Sequence, residues 1–223
     1  SPGDAPDVRT YHYGLTDPTL LTGLSFNDER YSTYTYHGDR RVETSALAGG
    51  AAKDSFVYGS DTTTVTDERG QAAVYSFETI AGEKKLTKVS RELTSTCPQT
   101  SASTKYSEAG YVKFSVDFNG NTTHYKYDDQ GRLENETTAS GTSATATQAH
   151  KWNQHGIEET IYKDSKFKQY LVAKYDYHTS GRERGRISKV TLTDTAGVKR
   201  ITEYAYTFHG AGDIASVAVT VSL

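Results

Sequence analysis

Several residue types are scarce in this chain of 223 residues: it has one Cys, one Trp, four Pro and no Met. The lone Cys97 excludes an intrachain disulfide. Its setting, "TSTCPQTSAS", is a Ser/Thr/Pro loop without the base or helix N-terminus that would activate a thiol, so Cys97 reads as inert. No run approaches the roughly 18 apolar residues of a membrane-spanning helix, and no charged-then-apolar leader opens the chain. With Ser at position 1 and no Met, the expectation is a piece of a longer protein. Charge of one sign is also missing. Twenty-five Lys and Arg stand against 28 Asp and Glu, a net of -3, which leaves no electrostatic footprint for nucleic acid or an anionic membrane surface.

Aliphatic residues are few as well. Leu, Ile, Val and Phe make up about 17% of the chain, a level that in a highly charged sequence would indicate disorder. Here 17 Tyr and abundant Thr take their place, and these residues suit half-buried pleated sheets. The composition predicts an ordered, β-rich protein with a thin core, unusual for a compact enzyme.

The segment "DFNGNTTHYKYDDQGRL" carries the pattern that organises the rest. It sets one Asp-x-x-Gly, Asp117 to Gly120, before Tyr125 and Tyr127, and a second, Asp128 to Gly131, after them. An aromatic residue followed four positions later by Gly recurs at Tyr106/Gly110, Tyr127/Gly131, Trp152/Gly156, Tyr177/Gly181 and Tyr206/Gly210. In two further copies a second Tyr stands two residues earlier, Tyr175 and Tyr204, as on one face of a strand entering a glycine turn. Looser copies, "YHYG", "YTYHG", "FVYG" and "YSFETIAG", extend the series toward the N-terminus. The aromatic series Tyr13, Tyr36, Tyr58, Phe77, Tyr106, Tyr127, Trp152, Tyr177 and Tyr206 has a mean spacing of about 24 residues.

A second turn falls between aromatics at Asp67/Gly70, Asp117/Gly120 and Asp194/Gly197. There Asp can cap the backbone and Gly supplies the positive φ that closes a hairpin. Residues 1–223 are therefore expected to form a single array of about nine strand-turn-strand-turn units, roughly 18 short strands with little helix. Three small, polar stretches, 46–54, 94–105 and 137–148, are expected as loops.

The repeated Tyr-x-Tyr with a following Gly, and "YKYDDQGRL" above all, resembles the Rhs or YD-repeat family of large bacterial secreted and cell-surface proteins. The resemblance implies a YD-repeat ribbon, a curved segment of a hollow β-shell that encloses a C-terminal toxic cargo domain. It further implies secretion or display on the bacterial surface, and partnership with the remaining repeats and cargo of a parent chain. No self-cleavage motif, toxin tail or plug accompanies the repeats here, so no activity is carried over.

Chemical constellations are weak. Asp117, Asn119 and Asn121 imitate the start of a Ca²⁺ loop, yet the bidentate acid about twelve residues on is missing. Seven His are spread without metal-site spacing. The doublets Asp128/Asp129 and Glu158/Glu159 would point to opposite faces of a strand, unlike a glycosidase pair. "GRERGR", 181–186, reads as a solvated turn. No catalytic, cofactor or metal residue is therefore expected. The two functional expectations are a non-catalytic shell segment, and a carbohydrate-binding or adhesive module using exposed Tyr and Trp152 toward a glycan; a structural ladder of Tyr stacked across neighbouring strands gives the same pattern and is the stronger reading of these aromatics. Open sheet edges would favour self-association.

Overall fold

The computed structural model describes residues 7–92, 100–210 and 212–223, so Cys97 lies outside the described residues. Among the described residues it is all-β, with 18 strands and one short 3-10 turn at Ala48–Gly50. Contacts divide the chain into two units, Ser1–Thr104 and Lys105–Leu223.

In the first unit the strands are β1 (Arg9–Tyr13), β2 (Leu21–Phe26), β3 (Glu29–Tyr36), β4 (Val42–Leu47), β5 (Asp54–Tyr58), β6 (Thr62–Thr66), β7 (Ala72–Ile80) and β8 (Glu83–Arg91). Strand β9 (Thr100–Tyr106) ends just past the division. The second unit holds β10 (Val112–Val116), β11 (Thr122–Tyr127), β12 (Leu133–Thr138), β13 (Ala146–Trp152), β14 (Ile157–Lys163), β15 (Gln169–Tyr177), β16 (Ile187–Asp194), β17 (Lys199–Phe208) and β18 (Ile214–Ser222). From β1 to β9, and again from β10 to β18, each strand pairs antiparallel with the next in sequence. Of the three expected loops, 46–54 and 137–148 shrink to the gaps between β4 and β5 and between β12 and β13. The third is corrected over 100–105, which is strand: small Ser, Thr and Ala residues pair well enough against β8.

The thin core expected from composition is evident. Ala173, 1% exposed, is the one fully buried apolar residue among those described, while Ser25, Ser32, Thr145, Thr147, Thr160 and Glu159 are buried polar groups. Each of these must be hydrogen-bonded to be tolerated, and among the described residues no buried side-chain polar atom lacks a partner. Thr160, for example, bonds His150 Nδ1 at 3.0 Å, and burial pushes the His150 imidazole below its ordinary pKa.

The turns share one construction. At Asp67, Asp117, Asp128 and Asp194 the Gly three residues on donates its N–H back to the Asp carbonyl at 3.0, 3.0, 2.9 and 3.2 Å. Oδ1 of each Asp accepts two further N–H groups from the loop. This is a three-residue hairpin loop whose last position is left-handed, and it suits Gly for that reason. Asp164 builds the same loop with Phe167 at φ 58 in the glycine position.

Candidate functional site

The groups that recur most regularly in space lie where one hairpin meets the next. Tyr13, Tyr36, Tyr127, Trp152, Tyr177 and Phe208 each end or nearly end a strand and pair with Leu21, Val42, Leu133, Ile157, Ile187 and Ile214 at the start of the following one. In every case the register slips by one residue just before the aromatic. The second residue of the next strand, Glu43, Glu134 or Glu158 for instance, is left without an opposite number. Such bulges bend a strand and sharpen its twist.

Five of these six aliphatic carbonyls are then taken by the ring of the following repeat. Tyr36 Oη donates to Leu21 O at 2.6 Å and Tyr58 Oη to Val42 O at 2.9 Å in the first unit. In the second unit Trp152 Nε1 donates to Leu133 O at 2.7 Å, Tyr177 Oη to Ile157 O at 2.8 Å, and Tyr206 Oη to Ile187 O at 3.0 Å. An aromatic O–H or N–H at one register thus ties five of the hairpins to the preceding one. Burial pushes the Tyr177 phenol above its usual pKa, favouring the protonated form that donates this bond.

A guanidinium completes three of these seams. Arg41 lies over the Tyr58 ring at 4.2 Å, Arg132 over Trp152 at 5.5 Å and Arg186 over Tyr206 at 5.7 Å, all within cation–π range. Each Arg immediately precedes the aliphatic residue whose carbonyl the ring caps, which explains the Arg-Leu after the glycine of "YKYDDQGRL". Carboxylates aim two of them: Asp39 Oδ2 accepts from Arg41 Nε at 2.7 Å and Asp128 Oδ2 from Arg132 Nε at 2.8 Å. Hydrogen bonds to the Arg41 side chain and backbone hold Asp39 below the usual carboxylate range. Asp128 is lowered first by the Arg132 backbone N–H and also by its side chain. In two seams the residue after the ring is His. His37 bonds Phe56 O at 2.9 Å and meets the Tyr58 ring, and His178 bonds Tyr204 O at 3.3 Å and meets the Tyr206 ring.

The sequence-derived residues sort into two sets. Asp67, Gly70, Asp117, Gly120, Asp194 and Gly197 close hairpins with no ring beyond them. Gly110, Gly131 and Gly156 close turns that follow Tyr106, Tyr127 and Trp152, with φ of 85, 76 and 154°. The other two glycines are displaced. Gly181 has φ 73° inside a longer loop closed by the Gly185 N–H on His178 O, and Gly212, not Gly210, takes the positive φ of the last turn because β17 runs two residues past Tyr206. Tyr175, Tyr204 and Tyr125 stand two residues before Tyr177, Tyr206 and Tyr127 on the same strands.

Three expectations change. Trp152 is a half-buried seam residue rather than an exposed sugar platform. Arg186, in the basic stretch 181–186, packs on Tyr206 and Phe208 rather than in solvent. The bulge at Glu158 brings Glu158 and Glu159 to one cavity of about 430 Å³ with Lys151 and Lys174, although ordinary strand alternation would separate them. Lys151 and Lys174 bridge the Glu159 carboxylate, and the Lys151 hydrogen bond, its largest influence, holds it below the usual range, which is the wrong direction for a general acid. Among the described residues no group of three His, Cys, Asp or Glu is placed to hold a metal, and no helix is long and apolar enough to cross a membrane.

The fold has a solved counterpart. A chain of the Photorhabdus luminescens Tc holotoxin pore superposes over 96% of this chain with a TM-score of 0.51 at 12% identity. This chain spans 14% of that one's length. A TcdB2-TccC3-TEV crystal structure aligns over 96% of this chain and 15% of its own at TM-score 0.40 and 12% identity. A porin-like protein from Bacteroides uniformis aligns over 84% and 81% at 0.33 and 13%. The first likeness is one of fold, and the two lower scores carry no argument. No protein-family model and no curated protein matches the sequence.

Proposed function

We propose that this chain is a non-catalytic wall segment of an Rhs/YD-repeat-type shell, 1–223 forming one repeat array, whose role in a secreted bacterial protein is to enclose a toxic cargo domain. The observation that carries this reading is the seam. Five ring-to-carbonyl bonds at one register join successive hairpins, which is a way to build a continuous wall. The fold shared with a Tc holotoxin pore chain supports it, as does the "YKYDDQGRL" pattern. In this reading Asp67, Asp117 and Asp194 with their glycines shape the wall, and the rings join it.

Glycan binding or adhesion is the weaker reading, because the Tyr58, Trp152 and Tyr206 rings each carry a guanidinium over the face on which a sugar would stack. The test uses the parent chain carrying this segment and its C-terminal region. Enclosure requires that region to resist protease until the array unfolds. Cleavage at the rate of the same region expressed alone would overturn the reading, and a glycan-array signal from the folded segment would favour adhesion instead.

A further inference from the structure

The residue opposite the ring is not the same in every seam. Extending the pairing of Asn135 with Ala149 sets Trp152 opposite Arg132, extending Lys189 with Glu203 sets Tyr206 opposite Arg186, and extending Thr44 with Ser55 sets Tyr58 opposite Arg41. The same extension from Phe114 and His124 sets Tyr127 opposite Tyr111, the residue just before β10. Between β10 and β11 a phenol therefore occupies the place that a guanidinium takes elsewhere.

Its loop holds it there in the same way. Gly110 N–H donates to Ser107 O at 2.9 Å and Tyr111 N–H to Ser107 Oγ at 3.1 Å, as Gly131 and Arg132 donate to Asp128. The Tyr111 side chain is 44% exposed, its ring centroid 5.0 Å from that of Tyr127 and the two planes 31° apart. Its hydroxyl passes over Gly131, where the lack of a Cβ leaves it room. A second pair of phenols, Tyr162 and Tyr170, is looser: the centroids are 6.2 Å apart and the planes 44°. There Tyr162 stands opposite Leu171 and Lys163 opposite Gln169, so Tyr170 has no opposite number.

Two phenols in contact offer a reaction that a phenol under a guanidinium lacks. Each gives an electron and its hydroxyl proton to a one-electron oxidant, leaving a phenoxyl radical with spin on the ring carbons beside the oxygen. The two radicals combine through one such Cε of each ring. The hydrogen on each joined carbon then returns to its own oxygen, and both phenols are restored. The pair ends two hydrogen atoms short, and one hydrogen peroxide, acting through a haem peroxidase, takes both and leaves as two waters.

We infer that Tyr111 and Tyr127 form an oxidative cross-linking site, joined Cε to Cε by a peroxidase and its peroxide, which braces the hairpin of β10 and β11. Rings already held in contact react without a search for one another. With one Cys the chain cannot form a disulfide within itself; this bond closes the loop 111–127 by other means and restricts the unfolded chain.

The test treats the whole chain, kept dilute, with a haem peroxidase and limiting hydrogen peroxide, and maps the monomer by trypsin and mass spectrometry. Cleavage after Lys and Arg releases 106–113 and 127–132, and these are expected joined and lighter by two hydrogens. That product is expected at least about tenfold above any other Tyr-to-Tyr link, Tyr162 to Tyr170 included. Peptide 106–113 also holds Tyr106, so Tyr111→Phe and Tyr111→Arg identify the partner: each is expected to keep the strand signal in circular dichroism and lose the product. The linked monomer is expected to unfold at higher urea than the untreated chain. No joined peptide, a joined peptide that survives Tyr111→Phe, or an equal yield from the urea-unfolded chain would overturn the site. An unraised urea midpoint in the linked monomer would overturn the brace.

Discussion

Asp117–Gly120 and Asp128–Gly131 are two nearly identical loops separated by Asn121 and the six residues of β11, and their surroundings differ completely. In both, Asp Oδ1 accepts two loop N–H groups, and the glycine N–H returns to the Asp carbonyl at 3.0 and 2.9 Å. Around Gly120 there is open space. Over Gly131 lies the Tyr111 ring, which also stacks on Tyr127 at 5.0 Å, and the next residue, Arg132, reaches Trp152 of the following hairpin. One loop only turns the chain. The other turns it and joins two repeats. The same Asp-x-x-Gly acquires its second role from the ring before it and the Arg-Leu after it.

The sharpest way to separate the two loops is to remove what each supports. Trp152→Ala empties the seam beyond Gly131 and is expected to cost about 3 kcal/mol in denaturant unfolding, at the low end for losing a large ring because the site is half-buried. Asn119→Ala, in the exposed Asp117 loop, is expected to change stability by less than about 0.5 kcal/mol. Equal losses would erase the distinction.

A backbone pair comes next. Gly120→Ala meets only the left-handed backbone at φ 83°, about 1 kcal/mol. Gly131→Ala meets φ 76° and the Tyr111 hydroxyl as well, and is expected to cost at least twice as much unless Tyr111 swings out. Thermal melts of the two variants side by side supply the ratio. Smaller again is Arg132→Gln, which removes the cation over Trp152 while keeping a polar stem; about 0.5–1 kcal/mol is expected, with part of it screened by salt.

The pH dependence divides the loops from the seams without any substitution. Asp117 is lowered chiefly by hydrogen bonds from the Asn121 side chain and backbone, and Asp128 chiefly by the Arg132 backbone N–H. A carboxylate lowered on folding stabilises the fold above its unfolded pKa of about 3.9, and that contribution is lost as pH falls through the lower folded value. Acid below about pH 4 therefore weakens both loops. Tyr127 and Tyr177 are raised, first of all by burial. Their contribution is complete below the unfolded pKa of about 10 and is lost as pH rises through the higher folded value. Alkali thus acts on the seams, and Tyr177→Phe should flatten that limb in a melting-temperature series while leaving the acid limb unchanged.

Much of the fold is legible in the residues. Tyr-x-Tyr alternation, Asp at turn starts and Gly at turn ends each encode a local backbone preference, and those preferences place the 18 strands. The seam is not local. Which carbonyl a ring reaches depends on a one-residue slip such as that between Lys126 and Tyr127, and nothing in "LENE" distinguishes the bulged Glu134 from its neighbours. The same slip defeats simple alternation at Glu158 and Glu159. Gly210 misleads because β17 is two residues longer than the pattern implies, an extension decided by Phe208 pairing with Ile214 across the sheet. Arg-Leu was visible as a string, but its reason lies one repeat away, in the ring of Trp152.

Trp152 is the only tryptophan of the chain, so its indole gives a single N–H signal that reports one seam directly. With Nε1 donating to Leu133 O at 2.7 Å, exchange of that hydrogen in deuterated buffer requires the seam to open, and it should be slowed at least about tenfold relative to free indole. Exchange at the rate of free indole in the folded protein would contradict the central claim that ring-to-carbonyl bonds join one hairpin to the next.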